Sequence, residues 1–182
     1  STMTIPASEI REIAIHPTNP NIIWVVRSNY TAGAKVHKSV NGGATWTNIS
    51  GNLPNLPANC IVYHTGTNEG IYVGMDVGVY YRDNSMSNWM LFSQGLPNVI
   101  ISDLKIKYNT KELYAGTYGR GVWKSPLYDD SGNVCFLIED MTVENVETYS
   151  ATVKWIKPQV LPLGYEYFVS TSPNQPVSGT FT

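Results

Sequence analysis

The fold class follows from the stretch Ser39-Val40-Asn41-Gly42-Gly43-Ala44-Thr45-Trp46, whose surroundings return in an imperfect copy about 43 residues later. The matching positions are Asn41 with Asn84, Trp46 with Trp89, Leu53 with Leu96, and Val36 with both Val79 and Val122. A fixed period of roughly 40 residues, built from short apolar runs and glycine turns, is typical of an array with one small sheet per repeat.

The composition favours an all-β, extracellular-type protein over a helical cytosolic enzyme. Aromatic residues make up 12% of the 182 residues, whereas charged residues make up only 14%. The formal net charge of -2 provides no basic stripe for nucleic acid, so we expect no nucleic-acid partner. No apolar run reaches the roughly 18 residues of a membrane span, so we also expect no membrane insertion.

Three repeats are predicted in residues 1–127, at about 8–55, 56–98 and 99–127. The first two each contain four β-type runs, and the third contains three and then stops. No convincing stretch has the 3.6-residue period of a helix, so helix should be minimal.

A second module is predicted after a composition change at Leu127. Residues 128–134 are predicted to form a short polar linker, and the 43-residue register does not continue beyond it. Three strand patterns with period 2 follow in the module 135–182, at 141–146, 150–155 and 164–170.

The Ser39–Trp46 motif has a mechanical interpretation as a tight strand reversal. Asn41 accepts hydrogen bonds from turn amides, and the glycines, including Gly43, take backbone conformations that other residues avoid. Thr45 resumes β geometry, and Trp46 provides a large apolar anchor beneath the turn. We therefore expect Ser39, Asn41, Gly43, Thr45 and Trp46 to be structural.

This motif resembles the Asp-box, or BNR repeat, of β-propellers such as sialidases, sortilin-like receptors and xyloglucan-degrading hydrolases, with Asn41 where Asp is usual. The second copy, 82–89, lacks the glycine pair, so its turn must be built differently. Residues 114–127 resemble the closing blade of large secreted propeller proteins from Bacteroidetes-type bacteria. The segment from about Cys135 resembles the first half of a fibronectin type III domain.

The resemblance implies an all-β piece of a larger protein. We expect a partial β-propeller of about three four-stranded blades, the last incomplete, followed by a partial fibronectin type III-like β-sandwich. Such a piece needs the remaining blades of its parent, or a second chain, to cover its open faces. The resemblance also implies a secreted or cell-surface location.

Candidate binding residues lie on predicted loops. Arg120, between two glycines, is placed to meet an anion or carboxylate, or else fills a turn and pairs with a neighbouring acid. Tyr118 and Tyr30, together with Trp89, are candidates for a sugar-stacking platform, although aromatic residues also dominate the interfaces between blades. A polysaccharide or a surface protein is the expected partner.

The candidate catalytic carboxylates are Asp76 and Asp103, which an inverting glycosidase would require roughly 6.5–9.5 Å apart. The spacing does not support the pair, and Gly-x-Asp-x-Gly around Asp76 also suits a strand-linking turn. No cofactor motif or metal-ligand spacing is present. Cys60 and Cys135 are either two buried thiols or one bridge.

The sequence therefore predicts a non-catalytic portion of a modular propeller protein, acting as a scaffold for glycan or protein contact. The alternative is one part of a sialidase-like or xyloglucanase-like glycoside hydrolase whose catalytic residues lie mostly outside this chain. If the parent is an enzyme, the resemblance implies a glycoside hydrolase.

Overall fold

The computed structural model describes residues 10–128, 142–146, 150, 152–154, 165–169 and 177–181. Every element in these ranges is a β-strand and none is a helix, so the predicted all-β class is confirmed. The chain divides into two units, Ser1–Leu127 and Tyr128–Thr182.

The first sheet contains four antiparallel strands in chain order, β1 (Ile10–Ile15), β2 (Ile23–Arg27), β3 (Val36–Ser39) and β4 (Thr47–Asn48). Its β2 run of β-branched and aromatic residues is almost entirely buried, as suits a strand covered on both faces. The outer strand β4 is only two residues long, shorter than the β-type run around it.

The second sheet repeats this plan with β5 (Ala58–His64), β6 (Gly70–Met75), β7 (Gly78–Arg82) and β8 (Met90–Leu91). The third sheet contains β9 (Ile101–Lys107), β10 (Glu112–Thr117) and β11 (Val122–Pro126), in the order β11-β10-β9. The register-related valines 36, 79 and 122 all lie in the third strand of their sheets. The 43-residue period therefore corresponds to one sheet per repeat.

Sheets one and two pack against each other through a shared apolar core. Trp24 is one of its largest buried members, and its ring centroid lies 5.4 Å from that of Tyr63 on β5. Fully burying one such side chain is worth about 1.5–3 kcal/mol. The buried members of the cluster are Ala14, Trp24, Val26, Val36, Leu53, Ala58, Ile61, Ile71, Val73, Met75 and Trp89.

Sheets two and three approach each other closely where β6 and β9 meet. Gly74 on β6 lies against Ile101 on β9, and the Cys60 thiol points to the Ile101 carbonyl at 4.0 Å. Cys60 is a free, buried thiol, and burial raises its pKa to about 12. Its proposed partner in a bridge, Cys135, lies outside the described residues.

In the second unit, the described residues form two antiparallel hairpins, β12 (Thr142–Glu144) with β13 (Thr152–Lys154), and β14 (Tyr165–Val169) with β15 (Val177–Phe181). The expected three strands are therefore an undercount. Strand β15 was missed because its sequence, Val-Ser-Gly-Thr-Phe, contains a central glycine and follows a proline-rich stretch. Backbone pairing with β14 forms the strand nonetheless.

Candidate functional site

Most of the candidate residues lie in the loops at one end of the strands of the three sheets. This end is here called the Asp76 edge. It consists of the hairpin loops 28–35, 76–77 and 118–121, together with the starts of β5 and β9. A hydrogen bond from the Tyr118 amide to the Ile100 carbonyl joins two of these segments at 2.9 Å. The opposite edge, here called the Asn41 edge, contains the loops 16–22, 40–46, 65–69 and 83–89.

Asp76 forms part of a brace between the first two sheets. Its Oδ1 accepts a hydrogen bond from Asn59 Nδ2 at 2.8 Å, and Asn59 Oδ1 accepts one from Ser28 Oγ at 3.3 Å. The Asp76 amide donates to the Pro57 carbonyl at 3.3 Å. This geometry matches the strand-linking turn that the sequence also allowed. Sequence patterns did not single out Ser28 or Asn59, because the brace joins segments from different repeats.

Asp103 has a separate set of partners at the inner strand of sheet three. Its Oδ1 lies 2.6 Å from Lys105 Nζ and accepts from the Leu104 amide at 2.9 Å. The hydrogen bond to Asp103 raises the pKa of Lys105. No contact among the described residues joins Asp76 to Asp103. Asp76 is bonded to Asn59 of sheet two, and Asp103 to Lys105 of sheet three.

The three candidate binding side chains extend into solvent. Tyr118 is 75% exposed, Tyr30 is 68% exposed, and Arg120 is also exposed. The described part of the chain gives none of these side chains a hydrogen bond or ion pair, so the expected acid partner of Arg120 is not found there. Trp89, the third aromatic candidate, is instead 1% exposed and belongs to the core.

A rigid hairpin presents Tyr118 and Arg120. The Gly121 carbonyl accepts hydrogen bonds from both the amide and the hydroxyl of Thr117, at 3.0 and 2.7 Å. Trp123 Nε1 donates to the Arg120 carbonyl at 2.9 Å, so the main chain of Arg120 is held while its guanidinium is not. The glycines on either side allow the turn because both have positive φ.

The loop that carries Tyr30 is held by hydrogen bonds from the buried Lys35. The ammonium of Lys35 donates to the Asn29 carbonyl at 2.5 Å and to Asn29 Oδ1 at 3.3 Å. Burial, followed by the nearby charge of Arg27, lowers the pKa of Lys35. The buried lysine thereby holds the loop that carries the exposed Tyr30.

The Asn41 turn is stabilised by hydrogen bonds between side chains and amides of residues 39–45. Asn41 Oδ1 accepts from the Thr45 amide at 2.8 Å and from Ser39 Oγ at 2.9 Å, and Ser39 Oγ accepts from the Gly43 amide at 2.8 Å. Gly42 and Gly43 have φ values of 67° and 88°. The side chain of Trp46 is partly buried.

The second copy of the turn uses a different acceptor. Asp83, one position before Asn84, accepts from the Ser85 amide at 2.8 Å and from Ser85 Oγ at 2.6 Å. Asn84 instead accepts a long hydrogen bond of 3.4 Å from Lys38 Nζ in the first sheet. Aspartate is a common turn residue, so the sequence does contain a signal for Asp83. The 43-residue register instead aligned Asn41 with Asn84.

The described residues provide no group of three or more His, Cys, Asp or Glu side chains that would bind a metal. In the same ranges, no helix has the length and apolar character needed to cross a bilayer. The Asp76 edge contains two braced carboxylates and, on its loops, exposed aromatic and guanidinium groups.

No protein-family model and no curated protein matches the chain. Among solved structures, its fold is similar to that in the crystal structure of the GH74 enzyme from Niastella koreensis, with a TM-score of 0.48 and 20% sequence identity. The match covers 62% of this chain and 19% of that enzyme, so this chain spans about a fifth of its length.

Proposed function

We propose that this chain is a non-catalytic part of a secreted or cell-surface β-propeller protein of the Asp-box type, and that its Asp76 edge binds glycans or a protein surface. The observation that carries the proposal is the exposure of Tyr30, Tyr118 and Arg120 on this edge. An aromatic face can stack on a sugar ring, and a guanidinium can bind a carboxylate with two hydrogen bonds.

The stacking of the sheets supports the propeller part of the proposal. Three antiparallel sheets follow one another at the 43-residue period, and neighbouring sheets bury apolar faces against each other. The two hairpins of the second unit support a sandwich of the fibronectin type III kind, because such domains are built from short antiparallel strands.

The partners of the two carboxylates support a non-catalytic role. Asp76 is bonded to Asn59, and Asp103 to Lys105, so both are committed to contacts within the chain. Acid–base catalysis of glycoside hydrolysis instead needs two carboxyl groups on either side of one bond.

A glycan array probed with the full chain tests the binding role. We expect a set of bound glycans whose signal falls at least tenfold when Tyr118→Ala and Arg120→Ala are combined, because both groups contribute only at the surface. Lys107→Ala, which removes an exposed cation from the opposite end of β9, serves as the control and leaves the signal unchanged. Absence of binding to every glycan and to candidate surface proteins would contradict the proposal.

The alternative is one wall of a glycoside hydrolase cleft, suggested by the position of Asp76 at the same strand ends as the exposed Tyr30 and Tyr118. It predicts that the parent protein hydrolyses a polysaccharide and that Asp76→Asn abolishes turnover. The binding proposal predicts instead that Asp76→Asn weakens only the brace to Asn59. Measuring reducing-sugar release by both forms of the parent separates the two.

A further inference from the structure

We propose that the face of sheet three that points away from sheet two binds a polysaccharide that carries carboxylate groups. This face is distinct from the loops of the Asp76 edge, and the inference is independent of glycan binding there. Its central row contains Lys105 on β9, Tyr114 on β10 and Lys124 on β11. The proposal follows from the pairing, exposure and charge of this row.

Strand pairing places the three side chains together on the open face. Tyr114 pairs with Lys105 on one side and with Lys124 on the other. Strand β9 packs against β5 and β6 of sheet two, and Leu104, next to Lys105, is 1% exposed. Because successive residues of a strand point to opposite faces, Lys105 and the rest of its row point away from sheet two.

The same positions of sheet two carry apolar side chains. Tyr72 is the counterpart of the central tyrosine, and it pairs with Val62 and Tyr81. Tyr72 and Tyr81 are 0% exposed. The side chains of Lys105 and Lys124 are instead 69% and 60% exposed. Sheet three therefore keeps the tyrosine of the row and has an exposed cation in place of each apolar neighbour.

Each lysine of the row is held by an acid of the same sheet. Lys105 Nζ lies 2.6 Å from Asp103 Oδ1, and Lys124 Nζ lies 2.6 Å from Glu112 Oε1. An ammonium group has three donors, so neither lysine uses all of its donors in these contacts. Exposed pairs of this kind are also weak, so a ligand carboxylate can compete with them. The two acids thus position the ammonium groups and leave them able to bind a ligand.

Tyr114 provides an aromatic ring in the middle of the row. Its hydroxyl donates to Glu112 Oε2 at 3.1 Å, which fixes the side chain on this face. The side chain is half-buried, so part of its surface is open to a ligand. A sugar ring that stacks on Tyr114 lies between two ammonium groups that can bind its carboxylate.

Positive charge is concentrated around this row. Residues 99–127 contain five of the twelve Lys and Arg residues but only two of the fourteen Asp and Glu residues. The formal net charge of -2 for the whole chain conceals this local excess. Sheet three is therefore complementary to an anionic ligand.

The spacing of the two lysines favours a polysaccharide over a nucleic acid. Lys105 and Lys124 lie two strands apart, which separates their backbones by about 10 Å. Phosphates of one nucleic-acid strand follow each other at about 3.4 Å, so such a strand would also bring phosphates against Asp103 and Glu112. A chain with one carboxylate per sugar is less densely charged, and its rings have faces that stack on an aromatic side chain.

Binding of the full chain to polygalacturonate tests the inference, and methyl-esterified polygalacturonate is the matched control ligand. We expect binding to the free acid and not to the ester, because esterification removes the negative charges. Affinity for the acid should fall at least tenfold between about 0.05 and 0.5 M sodium chloride, since salt screens exposed charges. Biolayer interferometry measures both effects. No binding to the acid, equal binding to both ligands, or tighter binding to single-stranded DNA would overturn the proposal.

Two variants of one ion pair separate ligand binding from stability. Lys105→Gln and Asp103→Asn each break the same pair, but the first removes a ligand-binding cation and the second removes a competing acid. We expect affinity for polygalacturonate to fall about fivefold or more in the first and to rise about twofold or more in the second. Both variants should keep the urea midpoint within about 10% of the parent value. Weaker binding by both would mean that the pair only maintains the sheet, and the proposal would be rejected.

A charge control locates the effect on sheet three. Arg11→Gln removes an exposed positive charge from β1 of sheet one and changes the net charge as Lys105→Gln does. Its affinity for polygalacturonate should stay within about twofold of the parent value, because salt screens charges that lie far from the ligand. Tyr114→Leu, which removes the ring and keeps both lysines, should weaken binding about threefold or more. Equal losses for the two charge variants, or full affinity in Tyr114→Leu, would contradict the assignment of the site to this row.

Discussion

Gly74 is the penultimate residue of β6 and lies at the packed contact between sheets two and three. A Cβ at this position would come within 2.6 Å of Ile101 Cγ2 and closer still to Cys60 Sγ. Both neighbours are buried, so neither has room to move aside. The glycine is therefore required by sheet-to-sheet packing and not by an unusual backbone conformation.

Gly74→Ala should destabilise the chain by about 1–3 kcal/mol, because overpacking forces side chains off their rotamers. Gly116→Ala is the matched control, since Gly116 occupies the same place in β10 and a Cβ there would meet nothing closer than 3.8 Å. Its effect should stay within about 0.5 kcal/mol. Urea unfolding followed by tryptophan fluorescence measures both, and equal effects would contradict the packing argument.

At the level of elements, the Asn41 turn connects β3 to β4 and is stabilised by hydrogen bonds among its own residues. Asn41→Ala removes the acceptor for the Thr45 amide and should cost about 1 kcal/mol. Asn41→Asp keeps an acceptor oxygen at the same place and should cost less than half as much. Urea midpoints of the two variants test the order, and a larger loss for aspartate would contradict this role of the side chain.

Sheet three contains a charged cluster around Glu112 on β10. Its Oε1 lies 2.6 Å from Lys124 Nζ on β11, and its Oε2 accepts from Thr110 Oγ1 at 2.7 Å and from Tyr114 at 3.1 Å. The hydrogen bond from Lys124 is the main cause that lowers the pKa of Glu112 from 4.5 to about 2. The charged carboxylate is therefore the form that the folded sheet prefers.

A carboxyl with a folded pKa below its unfolded value adds stability above the unfolded pKa and loses it as the pH falls. The contribution of Glu112 should thus be complete above about pH 4.5 and disappear as the pH approaches about 2. Because the cluster lies at the surface, added salt should weaken it. Comparing the parent with Glu112→Gln across this pH range tests the assignment, and parallel pH profiles would refute it.

At the level of the whole molecule, contacts between repeats decide how the sheets stack. Lys38 Nζ on β3 lies 2.5 Å from Glu69 Oε2 in the β5–β6 loop and 5.6 Å from the centroid of the Trp24 ring. This pair lies at the Asn41 edge, and the Ser28–Asn59–Asp76 brace lies at the Asp76 edge. The first two sheets are therefore joined at both edges of their apolar core.

Glu69→Gln should destabilise the first two sheets by about 1–3 kcal/mol, because it leaves a largely buried lysine without its counter-charge. Replacing both partners, Lys38→Met with Glu69→Leu, should recover much of that loss, since no unpaired charge remains. Guanidinium chloride would screen the pair, so urea is the suitable denaturant. A double variant less stable than Glu69→Gln would contradict this account.

Local patterns were sufficient to predict the strands, the reversal at Asn41 and the one-sheet-per-repeat period, because alternation and turn chemistry act over a few residues. They failed at β15, where pairing with β14 makes the strand, and at the second turn, where Asp83 acts instead of Asn84.

Packing between repeats was decided only by the tertiary structure. It linked Asp76 through Asn59 to Ser28 of the preceding repeat, and it buried Trp89 in the core shared with the first sheet. The physical reason is that burial and pairing depend on which sheet lies opposite a side chain. That neighbour is many residues away along the chain, so a local pattern contains no record of it.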